Sequence, residues 1–135
     1  MEIVKIAEAE VYLTPPPNQR KLRSLLSPQT HSLHNMATGV MTLAAGTNNG
    51  LHSHQQAEEI WYIIAGRGKV RIGDETASVE AGMVIYGPPL APHGFINDGD
   101  EDLTALFVIS PAGDEQPILD GLARQRDQAR QGRMT

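Results

Sequence analysis

The chain of 135 residues is long enough to bury the core of one domain and too short for us to expect a second. It contains no cysteine, which excludes disulfide bonds and thiolate chemistry. The formal net charge of −5 gives a surface that repels phosphate backbones, so we expect no nucleic acid partner.

The N-terminal segment does not have the pattern of a targeting signal. Residues 1–13 carry acidic side chains where a signal peptide has a basic flank and an uninterrupted apolar core. No later apolar run approaches the length of a membrane span. We therefore expect a cytoplasmic protein without membrane contact.

Most of the chain has the pattern of short β-strands separated by turns. Six segments are of strand length and rich in β-branched or aromatic residues. Glycine-containing connections between them, such as Gly73 and Asp74, are typical of tight hairpins. This pattern predicts an all-β sandwich or barrel. The predicted strands are 36–44, 59–64, 69–72, 76–79, 83–86 and 103–110.

The two ends of the chain depart from this pattern. Pro15, Pro16 and Pro17 cannot donate hydrogen bonds to a sheet, so they separate the first segment from the rest of the chain. We predict that residues 18–29 form an arm that is held away from its own barrel. Residues 118–133 have helical character, but they carry too few apolar side chains to pack one full face.

Candidate metal ligands occur in residues 46–66, GTNNGLHSHQQAEEIWYIIAG. His52 and His54 are two residues apart, so on a strand they point to one face, about 7 Å apart along the chain. Glu59 follows on the next predicted strand, and His93 arrives later as a fourth candidate. Imidazole and carboxylate together suit a divalent transition metal, and Fe, Mn, Ni, Zn and Cu all accept this donor set. We predict one such ion per chain.

Two stretches of the sequence resemble the two motifs of the cupin family. The matching positions are Gly46, His52, His54, Glu59 and Gly66 in the first motif, and Gly82, Pro88, His93 and Asn97 in the second. The second motif departs from the family pattern at one position, Leu90, where the family usually has glycine.

The resemblance implies a fold, a domain organisation and a ligand set. The fold is a double-stranded β-helix, which is a jelly-roll-type barrel, in a single domain over residues 1–135. Its core barrel would span about 36–112, with N-terminal strands and the arm over 1–35 and a C-terminal tail or short helix over 113–135. By the same resemblance, His52, His54, Glu59 and His93 correspond to a metal site of three histidines and one carboxylate.

The predicted strand 59–64 has two apolar faces, and a small barrel can bury only one of them. An isologous homodimer would cover the second face, with the arm of each chain paired along an edge strand of its partner. The resemblance points the same way, because small cupins often form such pairs. The predicted interface includes Leu22, Leu25, Ile60, Tyr62 and Ile64.

Side chains on the same strand faces as the candidate metal ligands are expected to line a substrate pocket. Glu59, Trp61 and Ile63 share one face of their strand, and His93 shares a face with Phe95. An apolar pocket favours an uncharged or singly anionic small molecule with an apolar body and oxygen atoms directed to the metal. The predicted lining residues are Trp61, Phe95, Ile63, Phe107 and Met41.

The sequence does not identify a catalytic residue. Tyr86 is a candidate proton donor, with a purely structural role as the alternative. His31 and His34 could reach the site, although histidines in a turn-rich connector more often lie on the surface.

Three classes of function fit these features. The first is dioxygenase-type oxidation at a metal whose open positions take substrate and dioxygen. The second is redox-neutral catalysis by an isomerase, cyclase, decarboxylase or lyase, in which the metal polarises a carbonyl group. The third is binding of a small molecule without turnover. Redox-neutral chemistry needs a general acid or base beside the metal, and the sequence offers none that is compelling, so oxidation is favoured.

Overall fold

The computed structural model describes residues 1–134, and Thr135 of the predicted C-terminal tail lies outside them. These residues form nine strands, a short 3-10 turn at Ile6–Glu8 and one long helix. The strands are β1 (Tyr12–Leu13), β2 (Lys21–Leu26), β3 (Ala37–Leu43), β4 (Glu58–Ala65), β5 (Arg67–Ile72), β6 (Glu75–Glu80), β7 (Val84–Gly87), β8 (His93–Ile96) and β9 (Leu103–Ser110), and the helix is α1 (Gln116–Met134).

The strands form two antiparallel sheets. The larger sheet has the order β1-β2-β3-β9-β4-β7, and the smaller one has the order β6-β5-β8. Isolated bridges from Asn48 to Ile96 and from His52 to His93 join the long β3–β4 connection to the edge of the smaller sheet. The predicted all-β class is confirmed, and the connection that carries two candidate ligands lies against β8.

The core lies between the inner faces of the two sheets. Side chains of β4 alternate strictly, with Trp61 3% exposed and Ile63 0% exposed on the inner face. Leu43 and Leu103 pair across β3 and β9 and are fully buried. Phe95 of β8 packs edge to face on Trp61, with ring centroids 5.4 Å apart. The same alternation that buries this core also turns one face of β4 outwards.

The predicted arm is part of the protein's own barrel. Leu22 of β2 pairs with Met41 of β3, and both Leu22 and Leu25 are buried in the core. The prediction that residues 18–29 stay away from their own barrel, with Leu22 and Leu25 reaching a partner, is therefore wrong. The physical reason is a register shift between Ser24 and Leu26, which lets two leucines at an odd spacing both face inwards.

Helix α1 packs only at its N-terminal end. Ile118, Gly121 and Leu122 are buried, and the ring of Tyr12 lies where a side chain on Gly121 would stand. The remaining turns are exposed, which agrees with the few apolar residues in this segment. Within the described part of the chain, no helix is both long and apolar enough to cross a membrane.

Candidate metal centre

Three histidine side chains converge at one end of the barrel. His52 and His93 are held as neighbours by two backbone hydrogen bonds, of 3.0 Å from His52 N–H and 2.8 Å from His93 N–H. Their Nε2 atoms are 3.0 Å apart. His54 follows two residues later on the same side, and the ligand atoms of the three rings lie within 4.8 Å of one another. This is the convergence that the spacing of His52 and His54 predicts.

Glu59 lies beside this cluster rather than inside it. It is on the inner face of β4 and 8% exposed, with its Oε2 atom 3.9 Å from His54 Nε2. Both of these atoms are buried, and neither has a hydrogen-bond partner among residues 1–134. A bound cation would satisfy both atoms at once, so the donor set fits a divalent metal.

The electrostatics of the cluster favour the protonation states that bind a metal. Burial, together with the neighbouring His93, Arg20 and His54, lowers the pKa of His52 to about 3. Burial and His54 lower the pKa of His93 to about 4. These two imidazoles are therefore neutral near pH 7, and a neutral ring is the form that ligates metal.

The pKa of the Glu59 carboxyl group is shifted upwards, whereas the pKa values of His52 and His93 are shifted downwards. The pKa of Glu59 is raised to about 8, chiefly by burial and also by the nearby Asp114, while Arg20 opposes the rise. Desolvation thus makes an isolated carboxylate unfavourable at this position. A divalent cation beside Glu59 would restore its ionised form.

Two contacts orient the histidine rings. His54 Nδ1 is 2.6 Å from Asp114 Oδ2, which leaves His54 Nε2 directed toward the cluster. His93 Nδ1 lies 3.3 Å from the carbonyl oxygen of Ala91, which likewise leaves Nε2 for the cluster. Asp114 belongs to the connection after β9, and no spacing in the sequence singled it out.

The histidines open into a cavity of about 210 Å³ between the larger sheet and the start of α1. Eight of its lining residues are apolar or aromatic, and the other nine are polar or charged. The lining residues are Tyr12, Thr14, Arg20, Leu22, Met41, Asn49, His52, His54, Glu59, Trp61, His93, Phe107, Ile109, Asp114, Glu115, Pro117 and Ile118.

The predicted pocket residues separate into two groups. Trp61, Phe107 and Met41 line the cavity. Phe95 and Ile63 are fully buried in the same core and are not among the residues that line the cavity. The assignment of these two residues to the pocket is therefore corrected. A shared strand face sets the direction of a side chain, but its position along the strand decides whether it reaches the open end of the barrel.

The other candidates from the sequence lie away from the cavity. Tyr86 is 53% exposed, and its hydroxyl group donates a 2.9 Å hydrogen bond to Glu58. Because it lies on the outer side of β7, it is unsuited to the proposed role of proton donor. His31 Nδ1 is hydrogen-bonded to Thr30 at 2.8 Å, and His34 is exposed, and neither histidine lines the cavity.

Two further charged residues line the cavity from outside the two motifs. Arg20 comes from the turn before β2, and Glu115 immediately precedes α1. Glu115 is 3% exposed, and its Oε2 atom accepts a 2.5 Å hydrogen bond from Gly113 N–H. Its Oε1 atom is buried and has no hydrogen-bond partner among the described residues. Sequence reasoning missed both because neither lies near a histidine in the chain.

The turn before His93 keeps the backbone form that glycine would give. Leu90 has a φ of 70°, in the left-handed region that glycine favours. Its N–H donates a 2.7 Å hydrogen bond to the carbonyl oxygen of His54, which ties this turn to the ligand-bearing connection. Leucine at this position therefore adopts the backbone conformation that glycine favours.

Comparison with known protein families identifies the family of this chain. Residues 39–109, slightly more than half of the chain, match the family model of the cupin domain. The chain belongs to the cupin family. The match spans β3 to β9 and includes the three histidines and Glu59, whereas Arg20, Asp114 and Glu115 lie outside it.

The chain is also similar in sequence to individual proteins from bacteria. The chain is 38% identical over 77 residues to an uncharacterized protein of Streptomyces coelicolor, which covers 57% of this chain and 71% of the relative. It is 32% identical over 98 residues to the polyketide synthase CurC of Streptomyces cyaneus, covering 70% of this chain and 64% of CurC.

A solved structure supports the fold as well. The crystal structure of a predicted oxalate decarboxylase from Thermotoga maritima superposes with a TM-score of 0.75 at 25% identity, covering 82% of this chain and 100% of the other. The two sheets and this similarity confirm the predicted double-stranded β-helix. They do not by themselves assign a reaction to the chain.

Proposed function

We propose that this cupin is a metal-dependent enzyme that acts on a small, largely apolar organic compound through its oxygen atoms. His52, His54, Glu59 and His93 would hold one divalent ion per chain. The buried, unpartnered atoms of His54 and Glu59 support this assignment, as do the neutral states of His52 and His93. When bound, the ion supplies Lewis acidity that polarises a carbonyl group of the substrate.

The position of Glu115 in the cavity is the observation from which we infer the class of reaction. The sequence favoured oxidation because it offered no convincing acid or base, yet the cavity contains a buried carboxyl group with an unpartnered oxygen. In our proposal, Glu115 accepts a proton from the carbon next to the substrate carbonyl group. The electron pair of the broken C–H bond stays on the substrate, and Glu115 returns the proton at a different atom. This is a redox-neutral isomerisation.

The names of two relatives support a substrate with paired oxygen atoms. CurC is named as a polyketide synthase, and the Thermotoga maritima protein as a predicted oxalate decarboxylase. Polyketides and oxalate both place two oxygen atoms where one metal ion can reach them. The apolar part of the cavity wall, which includes Trp61, Met41 and Phe107, fits the apolar body of a β-dicarbonyl compound.

Dioxygenase-type oxidation is the second candidate. Four protein ligands would leave one or two positions open on an octahedral ion, where substrate and dioxygen could bind side by side. Oxidation needs no protein acid or base, so it makes no use of Glu115. Non-catalytic binding of a small molecule is the remaining alternative.

Comparing turnover under air and under argon separates these classes. Protein purified without chelator is first analysed for its metal content, then loaded with Fe, Mn, Ni, Zn or Cu and incubated with β-diketones, phenols and keto acids. We expect product under argon and its loss in Glu115→Gln, with Glu101→Gln as the matched control, because Glu101 is exposed and lies outside the cavity. Product that requires dioxygen would support oxidation, and saturable binding without product would support a binding protein.

We further propose that the chain forms a homodimer through the outer face of β4 and β7. Ile60, Tyr62 and Ile64 are 43%, 45% and 39% exposed, and Val84 and Tyr86 of β7 are 66% and 53% exposed. Ile60 pairs with Tyr86 and Tyr62 with Val84, so these side chains form one continuous apolar surface. A second copy of the same flat surface would cover it across a two-fold axis. The arm does not contribute, because Leu22 and Leu25 are buried in their own chain.

A further inference from the structure

The backbone around Arg20 directs this side chain into the cavity. Arg20 N–H donates a 2.8 Å hydrogen bond to Thr14 Oγ1, and Thr14 N–H donates a 3.0 Å hydrogen bond to the carbonyl oxygen of Arg20. Arg20 precedes Leu22 by two residues, and Leu22 is buried opposite Tyr12 on the inner face. Residues two apart share a face, so Arg20 points inwards as well.

The guanidinium group of Arg20 is anchored but not neutralised by an ion pair. Its Nη1 atom donates a 3.3 Å hydrogen bond to the carbonyl oxygen of Asn49. Asn49 is itself fixed, because its buried side chain accepts a 2.7 Å hydrogen bond from Phe95 N–H. Within residues 1–134, Arg20 forms no ion pair with a carboxylate. A guanidinium group has five N–H donors in a planar fork, so one hydrogen bond leaves donors for a ligand.

Burial makes the charge of Arg20 costly. The apolar side chains of Tyr12, Leu22 and Phe107 line the same cavity, and burial lowers the pKa of Arg20 while Glu59 opposes that change. A partly buried charge is stabilised when an opposite charge pairs with it. Asp114 pairs with His54, and Glu59 would be occupied by the metal, so an anionic ligand can supply the counter-charge at Arg20.

We propose that Arg20 forms an anion-binding subsite, separate from the histidine cluster, that takes the carboxylate group of a small organic monoanion with an apolar body. The planar fork of Arg20 matches the two oxygen atoms of a carboxylate. The apolar wall takes the body of the ligand. The subsite deepens the proposed function and rests on it only for the other oxygen atoms of the substrate, which would face the histidines.

Benzoate and benzamide test the subsite, because they share shape and size but only benzoate is charged. Trp61 is the single tryptophan of the chain, and it lines the cavity with its ring 4.8 Å from that of His93, so its fluorescence reports binding there. The titrations are made at pH 7.5 and constant ionic strength, in chelator-treated protein and again in protein loaded with Zn²⁺.

We expect the parent to bind benzoate at least about tenfold more tightly than benzamide in both metal states. Arg20→Gln should abolish this preference, and Arg20→Lys should keep part of it, because the charge remains without the fork. Arg71→Gln is the matched control, since Arg71 is exposed and lies outside the cavity. Arg20→Lys keeps the test valid if Arg20→Gln unfolds.

Three results would overturn the subsite. They are a parent that binds neither compound, equal affinity for the two compounds, and a preference that Arg20→Gln and Arg20→Lys leave unchanged. A preference that appears only with Zn²⁺ and does not depend on Arg20 would place the anion on the metal, which rejects the subsite but leaves the proposed function standing. A protein that binds no metal yet shows an Arg20-dependent preference would reject the metal site and support the subsite.

Discussion

The two faces of β4 are built from similar side chains but have different surroundings. On the inner face, Glu59, Trp61 and Ile63 are 8%, 3% and 0% exposed. On the outer face, Ile60, Tyr62 and Ile64 are 39% to 45% exposed. Both faces are largely apolar in sequence, and each carries one carboxyl group, Glu59 on the inner face and Glu58 on the outer face.

The difference between the two faces shows how burial changes the pKa of a carboxyl group. A carboxyl group on the inner face loses its water, so the pKa of Glu59 rises to about 8. Glu58, its neighbour on the outer face, stays exposed and accepts a hydrogen bond from Tyr86. Two adjacent glutamates thus have different chemistry because the strand turns them to opposite sides. The same alternation places Glu59 and Trp61 in the cavity wall and leaves Ile60, Tyr62 and Ile64 exposed.

Truncating one aromatic residue on each face should give the largest contrast. Trp61→Ala removes a buried side chain that contacts His93 and Phe95, so we expect a loss of about 3 to 5 kcal/mol in the free energy of unfolding. Tyr62→Ala should cost less than about 1 kcal/mol within one chain, because its side chain is half exposed. Urea denaturation at several protein concentrations measures both, and a concentration-dependent part belongs to the dimer. Equal losses for the two variants would contradict the contrast.

Metal affinity should follow the same division between the faces. We expect Glu59→Ala to weaken binding of Zn²⁺ by about 100-fold or more, since a direct ligand should cost at least as much as the residues that support one. Glu58→Ala carries the same chemical change on the outer face and should leave the affinity unchanged. Competition with a chromogenic chelator at limiting metal measures both. Parent-like affinity in Glu59→Ala would remove Glu59 from the ligand set, and the same test applies to His52→Ala.

The stability of the metal-free protein should pass through a maximum near pH 6.5. Below this pH the unfolded chain binds protons at His52 and His93 that the folded chain does not, because their folded pKa values are about 3 and 4 against an ordinary 6.5. Stability therefore falls as the pH falls. Between pH 4.5 and 8, the folded chain keeps a proton on Glu59 that the unfolded chain releases, so this group lowers stability as the pH rises. Below pH 6.5 the two histidines outweigh the one carboxyl group.

The variant Glu59→Gln isolates the alkaline side of this profile. The parent should lose about 4 °C or more in Tm between pH 6.5 and 8, and Glu59→Gln should not show this loss. Saturating Zn²⁺ should also remove the loss in the parent, because bound metal keeps Glu59 ionised. Thermal denaturation across the pH range provides the measurement. Parallel profiles for parent and variant would show that burial does not perturb Glu59.

The outer face should have the smallest effect on the site and the clearest effect on assembly. Tyr62→Lys places a charge in the proposed interface, so we expect at least about a tenfold weaker dimer with unchanged metal content. Thr76→Lys adds the same charge to an exposed position of β6 and should leave the dimer intact. Light scattering at micromolar concentration measures the mass. A parent that is already monomeric there would reject the dimer.

The sequence by itself determined the local elements of the fold. The predicted strand 103–110 coincides with β9, and 59–64 lies within β4, because alternation and glycine-containing turns are properties of neighbouring residues. The convergence of His52, His54 and His93 also followed from motif spacing. The assignment of four metal ligands stays a prediction that the geometry fits.

Tertiary structure alone decided which side chains share the cavity. Arg20 reaches it through a turn that Thr14 closes, and Asp114 and Glu115 reach it where the chain leaves β9, far along the sequence from the histidines. Phe95 and Trp61 are both aromatic residues on strand faces that carry a candidate ligand, yet only Trp61 lines the cavity. The bulge in β2 lets both Leu22 and Leu25 of the predicted arm face the core. Contacts between distant segments depend on how the whole chain closes, and no local pattern encodes that closure.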